Sequence, residues 1–348
     1  MCEPAGHLMT AEIAEQPRML ARLAVEAGPE LAAVSAVIAA RRPRFVLLAA
    51  RGTSDHAALY AKYLIEVRLG LPAGLVSPST MTVYGARPDL RDVLFLAVSQ
   101  SGGSPDLIDS LVAARDCGAL TVAVTNNPSS ELAQAAEFSV DVRAGVERAV
   151  AATKSYTAEL LALYLLLAPL AGPVELDANA LAEAAEATLS QQPELDAVAS
   201  RYRFADRLIT TARGFGYPTA REAALKLMET CYLGAQAFSG ADLLHGPMAM
   251  IDADLPVLAV LTPGAGGRAM VPVLQRLRER SADLVLVGGL PEQELSGQLL
   301  PVVTAGVAEE LFPVLEILPL QLLALNLALQ RGGDPDAPRG LSKVTQTW

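Results

Sequence analysis

Val93-Leu94-Phe95-Leu96-Ala97-Val98-Ser99-Gln100-Ser101-Gly102-Gly103-Ser104-Pro105-Asp106 is the stretch that decides the architecture. Its first six residues form an apolar run between Asp92 and Ser99, and such a run reads as a fully buried strand of a parallel sheet. Beyond it, Leu107, Leu111 and Val112 keep helical spacing. Ser104 followed by Pro105 marks the helix start, with a hydroxyl at the N-cap and a ring without N–H at the first helical position. Hydroxyls and a flexible Gly-Gly pair therefore lie between a strand end and a helix N-terminus. Free backbone N–H groups and the positive end of the helix dipole make that turn suited to an anion. No Lys or Arg lies in the loop, which fits a phosphate held by hydroxyls and amides. The same residues also describe a well-capped strand-to-helix connection, and the stretch alone leaves both readings open.

The rest of the chain extends this pattern. Glu12 to Glu26 reads as an amphipathic helix that Pro17 kinks or restarts, and a second helix follows over Glu30–Arg41. Arg44–Ala50 is a strand leading to Arg51-Gly52-Thr53-Ser54-Asp55, where Thr53, Ser54 and Asp55 are N-cap candidates for a helix over Ala57–Val67. Gly74–Ser77, Leu120–Val124 and Phe138–Val142 are further strands, and Thr153 precedes a helix over Lys154–Leu167 that Ala168-Pro169 ends. Alternating strands and helices predict an α/β fold with a doubly wound, flavodoxin-like parallel sheet. Ligands of such sheets bind beyond the carboxyl ends of the strands, where both hydroxyl-rich turns lie.

The pattern then repeats. Ala50-Arg51-Gly52 recurs as Ala212-Arg213-Gly214; Arg213 lies 162 residues after Arg51, Thr262 lies 163 after Ser99, and Val287 lies 163 after Val124. Counterpart strands are expected at Val257–Thr262 and Asp283–Val287, and the apolar helix Leu160–Leu167 is echoed by Ile317–Leu329. Two tandem domains follow from the repeat: an N-terminal helical segment over 1–30, domain one over 31–172, domain two over 195–331, and a tail over 332–348. In the second copy Thr262-Pro263-Gly264-Ala265-Gly266-Gly267 replaces the serine-rich loop, so one copy is expected to take the phosphate and the other to supply different groups.

At 348 residues, 52% hydrophobic and 19% charged, the chain is globular and long enough for two cores. A net charge of −11 argues against nonspecific nucleic-acid binding. Cys2, Cys117 and Cys231 are few, odd in number and far apart, which reads as reduced thiols of a cytoplasmic protein. With only His7, His56 and His245, no metal site is expected. No signal peptide is expected at the start, and the apolar runs Leu160–Val174 and Ile317–Leu329 are shorter than a membrane span of ~20 residues, so they read as buried helices.

Chemistry-bearing candidates lie in the second half. Lys226 and Glu229 share a helix face, where a carboxylate could move a proton between neighbouring carbons; Glu222 and Lys226 equally form an ordinary i,i+4 surface pair. His245, in Leu243-Leu244-His245-Gly246-Pro247, is either an acid–base group or an exposed loop residue. Lys343 lies in a tail that ends in β-formers and the only Trp, so the tail is expected to dock and carry the lysine inward. His56 and Cys231 read as packing residues.

Taken together, Arg51-Gly52-Thr53-Ser54, Ser99-Gln100-Ser101-Gly102, Ala144-Gly145-Val146-Glu147 through Ala152-Thr153-Lys154, Glu222–Glu229, His245-Gly246-Pro247 and Pro338–Thr345 resemble the sugar isomerase (SIS) family over nearly the whole chain. The resemblance is to the isomerase half of glucosamine-6-phosphate synthases and to SIS-type glucosamine-6-phosphate deaminases. Arg213-Gly214-Phe215-Gly216-Tyr217 and Lys343-Val344-Thr345-Gln346-Thr347 look more like the deaminases. Ala152 stands where the synthase pattern has Ser, and Gly103 where it has an acidic residue.

This resemblance implies roles. Thr53, Ser54, Ser99, Gln100, Ser101 and Ser104 would hold the phosphate and nearby sugar, with Val150, Ala152 and Ser342 lining the sugar. Glu229 would move the C1–C2 proton, Lys226 would orient the substrate, and Lys343 would act in ring opening or as an imine-forming amine. His245 would help open the ring from the partner subunit of a homodimer. The implied activity is conversion of glucosamine 6-phosphate to fructose 6-phosphate and ammonia, without cofactor, nucleic acid or membrane. Alternatives are a synthase-like isomerase and aminotransferase, a galactosamine-6-phosphate deaminase, or a non-catalytic sugar-phosphate sensor. The synthases' glutaminase domain has no expected counterpart here, and Cys2 is read as coincidental.

Overall fold

The computed structural model describes residues 3–174, 176–290 and 297–343. The expectations for Cys2 and for the tail residues after Lys343, Trp348 among them, lie outside these. By contacts the described residues fall into two units. One comprises Arg18–Glu147, Lys154–Ala178 and the tail from Ser342; the other comprises the N-terminal residues to Pro17, Arg148–Thr153 and Asn179–Leu341.

The chain opens with helices α1 (His7–Ala14), α2 (Gln16–Glu26) and α3 (Gly28–Arg41). Pro17 sits at the second position of α2, where a missing N–H is harmless, so it restarts the helix. Then come β1 (Phe45–Ala49), α4 (Thr53–Leu64) with a π-helical turn over Ile65–Leu69, β2 (Ala73–Leu75) and α5 (Ser79–Thr82). They are followed by β3 (Val93–Ser99), α6 (Pro105–Asp116), β4 (Leu120–Thr125), α7 (Glu131–Ala135), β5 (Phe138–Asp141) and α8 (Lys154–Leu167). These five strands form one parallel sheet in the order β2-β1-β3-β4-β5, with Ala49 opposite Ala97 and Ser99 opposite Thr125. Every residue of β3 after Val93 is buried, as a continuous apolar run requires in a sheet covered on both faces. Phe95, Ala97, Leu107, Leu111 and Ala123 pack one side. On α8 every residue but Leu165 is buried, because α3 and α4 also pack against this helix.

The second set follows α9 (Ala178–Ser190) and α10 (Leu195–Tyr202). It comprises β6 (Arg207–Ala212), α11 (Gly216–Cys231), β7 (Gly234–Ser239), α12 (Gly240–Leu244), β8 (Pro256–Val260), α13 (Ala265–Glu279), β9 (Asp283–Val287), β10 (Gln298–Leu300) and α14 (Phe312–Gln330). The sheet order is β10-β9-β8-β6-β7, all parallel. Counted from β6 this is the same order as the first sheet, so the repeat in sequence is a repeat in topology. Its core is built on Ile209, Val257, Ala259, Met270, Leu274 and Leu286.

Three local expectations are corrected. The α4 N-cap is Gly52, at φ 56, and Thr53, Ser54 and Asp55 occupy the first helical turn, without a side-chain cap. The strand expected at Val257–Thr262 ends at Val260. The helix expected at Ile317–Leu329 begins at Phe312 and runs through Pro319. With its leading 3-10 turn it spans 22 residues, long and apolar enough by composition to cross a membrane, yet 89% of its most apolar window is buried within the protein. It is a core helix packed against α10 and α11.

The chain ends of the second unit are joined by hydrogen bonds. Gly6, at the α1 N-cap, provides no side chain for capping. Asp336 supplies it, accepting from the Leu8 N–H at 2.9 Å and the Met9 N–H at 2.8 Å, while Asp334 accepts from the Gly6 N–H at 3.1 Å. The tail thus docks before Lys343 is reached, and Arg339 stacks 4.0 Å from the Tyr232 ring centroid.

Candidate active site

In the first unit, a cavity of about 740 Å³ opens beyond the carboxyl ends of β3, β4 and β5, lined in part by Gln100, Asn126, Arg143 and Glu147. Gln100 belongs to the serine-rich turn. That turn is fixed from within: Ser99 Oγ accepts from the Gly102 N–H at 3.2 Å, and Ser101 Oγ from the Gly103 N–H at 3.3 Å. Its carbonyls are tied to the next crossover, Gln100 O by the Asn126 N–H at 3.1 Å and Gly102 O by the Leu132 N–H at 3.1 Å. Gly102 adopts φ 63, and a Cβ there would fall 2.1 Å from Ser130 Oγ, so the turn requires glycine. Ser104 is the N-cap of α6, as its pairing with Pro105 predicts, yet its side chain makes no capping bond.

The other expected binding residues of this unit divide. Thr53 is half-buried in the first turn of α4. Ser54 is buried, and its hydroxyl donates to Glu159 Oε1 at 2.8 Å inside the unit. Ser342 is exposed, and the Lys343 ammonium donates to Glu147 Oε2 at 2.7 Å. The Glu147 side chain is buried and also accepts from the Ser155 N–H at 3.0 Å and hydroxyl at 2.8 Å. In the sequence Glu147 stands only as a member of the Ala144–Lys154 motif; its partners are 8 and 196 residues away, and no spacing rule reaches the second.

In the second unit α11 carries Glu222, Lys226 and Glu229 on one face. The surface-pair reading is excluded by burial: the side chains of Lys226 and Glu222 are 1% and 0% exposed, and only Glu229, at 22%, reaches solvent. Lys226 Nζ lies 2.5 Å from Glu229 Oε2 and 3.4 Å from Glu222 Oε1. A buried ammonium thus fixes the inner end of a carboxylate whose outer end is accessible, an arrangement suited to proton transfer. His245 is exposed at the C-terminal end of α12, and its side chain makes no hydrogen bond or ion pair among the described residues. Val150 and Ala152 are half-buried in Arg148–Thr153, with the Val150 N–H directed at Asp336 O at 3.4 Å. His56 and Cys231 are buried, as expected of packing residues.

The second unit's counterpart of the serine-rich turn is closed. The Gly266 N–H, at the start of α13, donates to Glu309 Oε1 at 3.2 Å. A Cβ at Gly267 would fall 1.8 Å from Thr262 O. The cavity left there is about 10 Å³, room for one water. The wall behind it holds Glu316, fully buried, which accepts from the hydroxyls of Thr262 and Thr219, the latter at 2.9 Å. Burial pushes its carboxyl up to about 7, against the pull of those two hydroxyls and with a smaller push from the Glu309 carboxylate.

Two doubly wound parallel sheets of identical strand order, one followed by a hydroxyl-bearing turn and one carrying a helix with a buried lysine–glutamate pair, define a duplicated α/β protein. The chain belongs to the SIS domain family, which matches residues 41–169 and 202–331. A glutamine–fructose-6-phosphate aminotransferase (isomerizing) from Gloeobacter violaceus is 36% identical over 97% of this chain and 58% of its own length. The chain thus spans under three-fifths of the length of that curated relative. A structure from Silicibacter pomeroyi, assigned to the phosphosugar isomerases, superposes with a TM-score of 0.86 at 34% identity, covering 94% of this chain and 99% of that one. The C-terminal domain of a glucosamine-fructose-6-phosphate aminotransferase from Francisella tularensis superposes with a TM-score of 0.83 at 26% identity, covering 94% and 97%.

Proposed function

We propose that this chain interconverts fructose 6-phosphate plus ammonia with glucosamine 6-phosphate plus water, as an aldose–ketose isomerase of amino-sugar phosphates. The observation that carries the reading is the carboxylate of Glu229, accessible at one end and held at the other by the buried Lys226 ammonium. The phosphate rests in the Ser99–Ser104 turn, with Thr53 beside it. Ammonia adds to C2 of the open-chain ketose and water leaves, giving the C2 imine. Glu229 takes the proton from C1 and returns it to C2 while the O1 hydroxyl proton passes to the imine nitrogen, which yields the amino aldose. His245, from a second copy of the chain, assists ring opening and closure, and Lys343 attends the sugar from the tail. The names of the relatives favour the aminating direction over the deaminating one to which the Arg213–Tyr217 stretch and the tail point.

The test is glucosamine 6-phosphate formation from fructose 6-phosphate and ammonium chloride, with ammonia release from glucosamine 6-phosphate as the reverse assay. Product in neither assay refutes the proposal. Glu229→Gln is expected to lower turnover by about 10²- to 10⁴-fold while leaving sugar-phosphate binding intact.

A further inference from the structure

We propose that Arg51 is the cationic contact of the sugar-phosphate site and that buried Asp106 is the residue that positions it; this rests on the function proposed above. In the order β2-β1-β3-β4-β5 the strand sequence reverses between β1 and β3, and sheets of this order take their ligands in the crevice at that point. Arg51 lies two residues past the end of β1, and Asp106 is the second residue of α6, just after the serine-rich turn that follows β3. Arg51 Nε and Nη2 lie 2.9 and 2.7 Å from Asp106 Oδ2, so one ion pair bridges the two hydroxyl-bearing turns across the crevice mouth.

The pair is asymmetric. The Asp106 side chain is 3% exposed and that of Arg51 47%. Both contacts fall on one carboxylate oxygen; Asp106 Oδ1 is buried without a hydrogen-bond partner. A staple built only for stability would engage both oxygens with the guanidinium fork, since a buried carboxylate is costly unless fully paired. Here the carboxylate anchors one edge of the guanidinium, and Nη1 makes no hydrogen bond among the described residues. A planar guanidinium fixed at one edge presents its remaining N–H groups in the geometry that phosphate oxygens accept. The serine-rich turn itself contains no cation; Arg22 and Arg143 line the cavity beyond β3, β4 and β5 together with Gln100, and Arg51 supplies the cation on the β1 side of the turn.

The second half has the arginine without the site. Arg213 repeats Arg51, but Arg268 stands 162 residues after Asp106, so no carboxylate occupies the anchoring position. A Cβ at Gly266 would fall 2.7 Å from Arg213 O, and Glu309 already occupies the α13 N-terminus.

The experiment uses the full chain and compares Arg51→Met, Arg51→Lys and the double variant Arg51→Met/Asp106→Asn, which removes the pair without stranding a buried charge. KM for fructose 6-phosphate, kcat, and the inhibition constant of inorganic phosphate are measured with ammonium as cosubstrate. The expected result is a rise of about 10- to 100-fold in KM and in the phosphate inhibition constant for both methionine variants, with kcat within a few-fold of wild type. Arg51→Lys, which keeps the charge but loses the fork, falls between. A double variant that melts like wild type and retains wild-type KM and phosphate inhibition overturns the role of Arg51 alone. Wild-type protein that neither turns over the sugar phosphates nor binds inorganic phosphate overturns the functional reading, and this inference with it.

Discussion

Glu316→Gln is expected to abolish most of the alkaline destabilisation of the second unit. Glu316 is completely buried between Thr262 and Thr219, and its carboxyl titrates at about 7 rather than 4.5. A folded-state value raised above the unfolded one means that the folded protein holds this proton more tightly than the open chain does. Stability is therefore full below pH 4.5 and falls as pH rises towards 7, levelling off above that. The ionised carboxylate then costs about 3 kcal/mol, at ~1.4 kcal/mol for each pH unit between the two values. Glutamine has the shape of the protonated acid and keeps an acceptor for one threonine, so the variant should match wild type near pH 4.5. Its advantage should grow by about 2–3 kcal/mol between pH 5 and pH 8. Urea unfolding of both proteins, followed by circular dichroism at the two pH values, measures the difference. Curves for wild type and variant that shift in parallel with pH would falsify the assignment of a buried, proton-holding carboxyl.

Lys226→Met should destabilise the protein by about 3–5 kcal/mol, because it removes the ammonium that lies 3.4 Å from the buried Glu222 carboxylate and 2.5 Å from Glu229. Adding Glu222→Gln should recover much of that loss in thermal melts but none of the turnover. Gly102→Ala should lose about 1–3 kcal/mol of stability, since the new Cβ meets Ser130 Oγ in a left-handed turn. It should also raise the inhibition constant of inorganic phosphate, as the serine-rich turn gives way to admit the methyl group.

Features fixed by local physics are legible in the sequence. The burial of β3, the Ser104-Pro105 start of α6 and the exact span of α8 all follow from runs and caps within a few residues of one another. The duplication was legible because strand–turn–helix signals recur at a constant offset. Helix α14 starts at Phe312, five residues before the expected Ile317, because Pro313 sits in its first turn, where a missing N–H costs nothing. Thr53 and Ser54 looked like caps because of their type, and only the backbone assigns the cap to Gly52.

Residue types and spacing alone determined that this is a two-copy α/β chain, with hydroxyl-rich turns at the strand ends and Glu222, Lys226 and Glu229 on one helix face. Tertiary structure alone decided which of those groups are buried and what they touch. Lys226 and Glu229 could have been a solvated surface pair, and burial makes them a fixed one. Ser54 could have faced a ligand, and it faces Glu159. Glu147 reaches Lys343, Asp336 caps α1, and Arg51 meets Asp106 across gaps of 196, 328 and 55 residues. Periodicity reports one element at a time. Charge pairing across such distances is set by which strands the sheet order makes neighbours, and by where each crossover returns the chain.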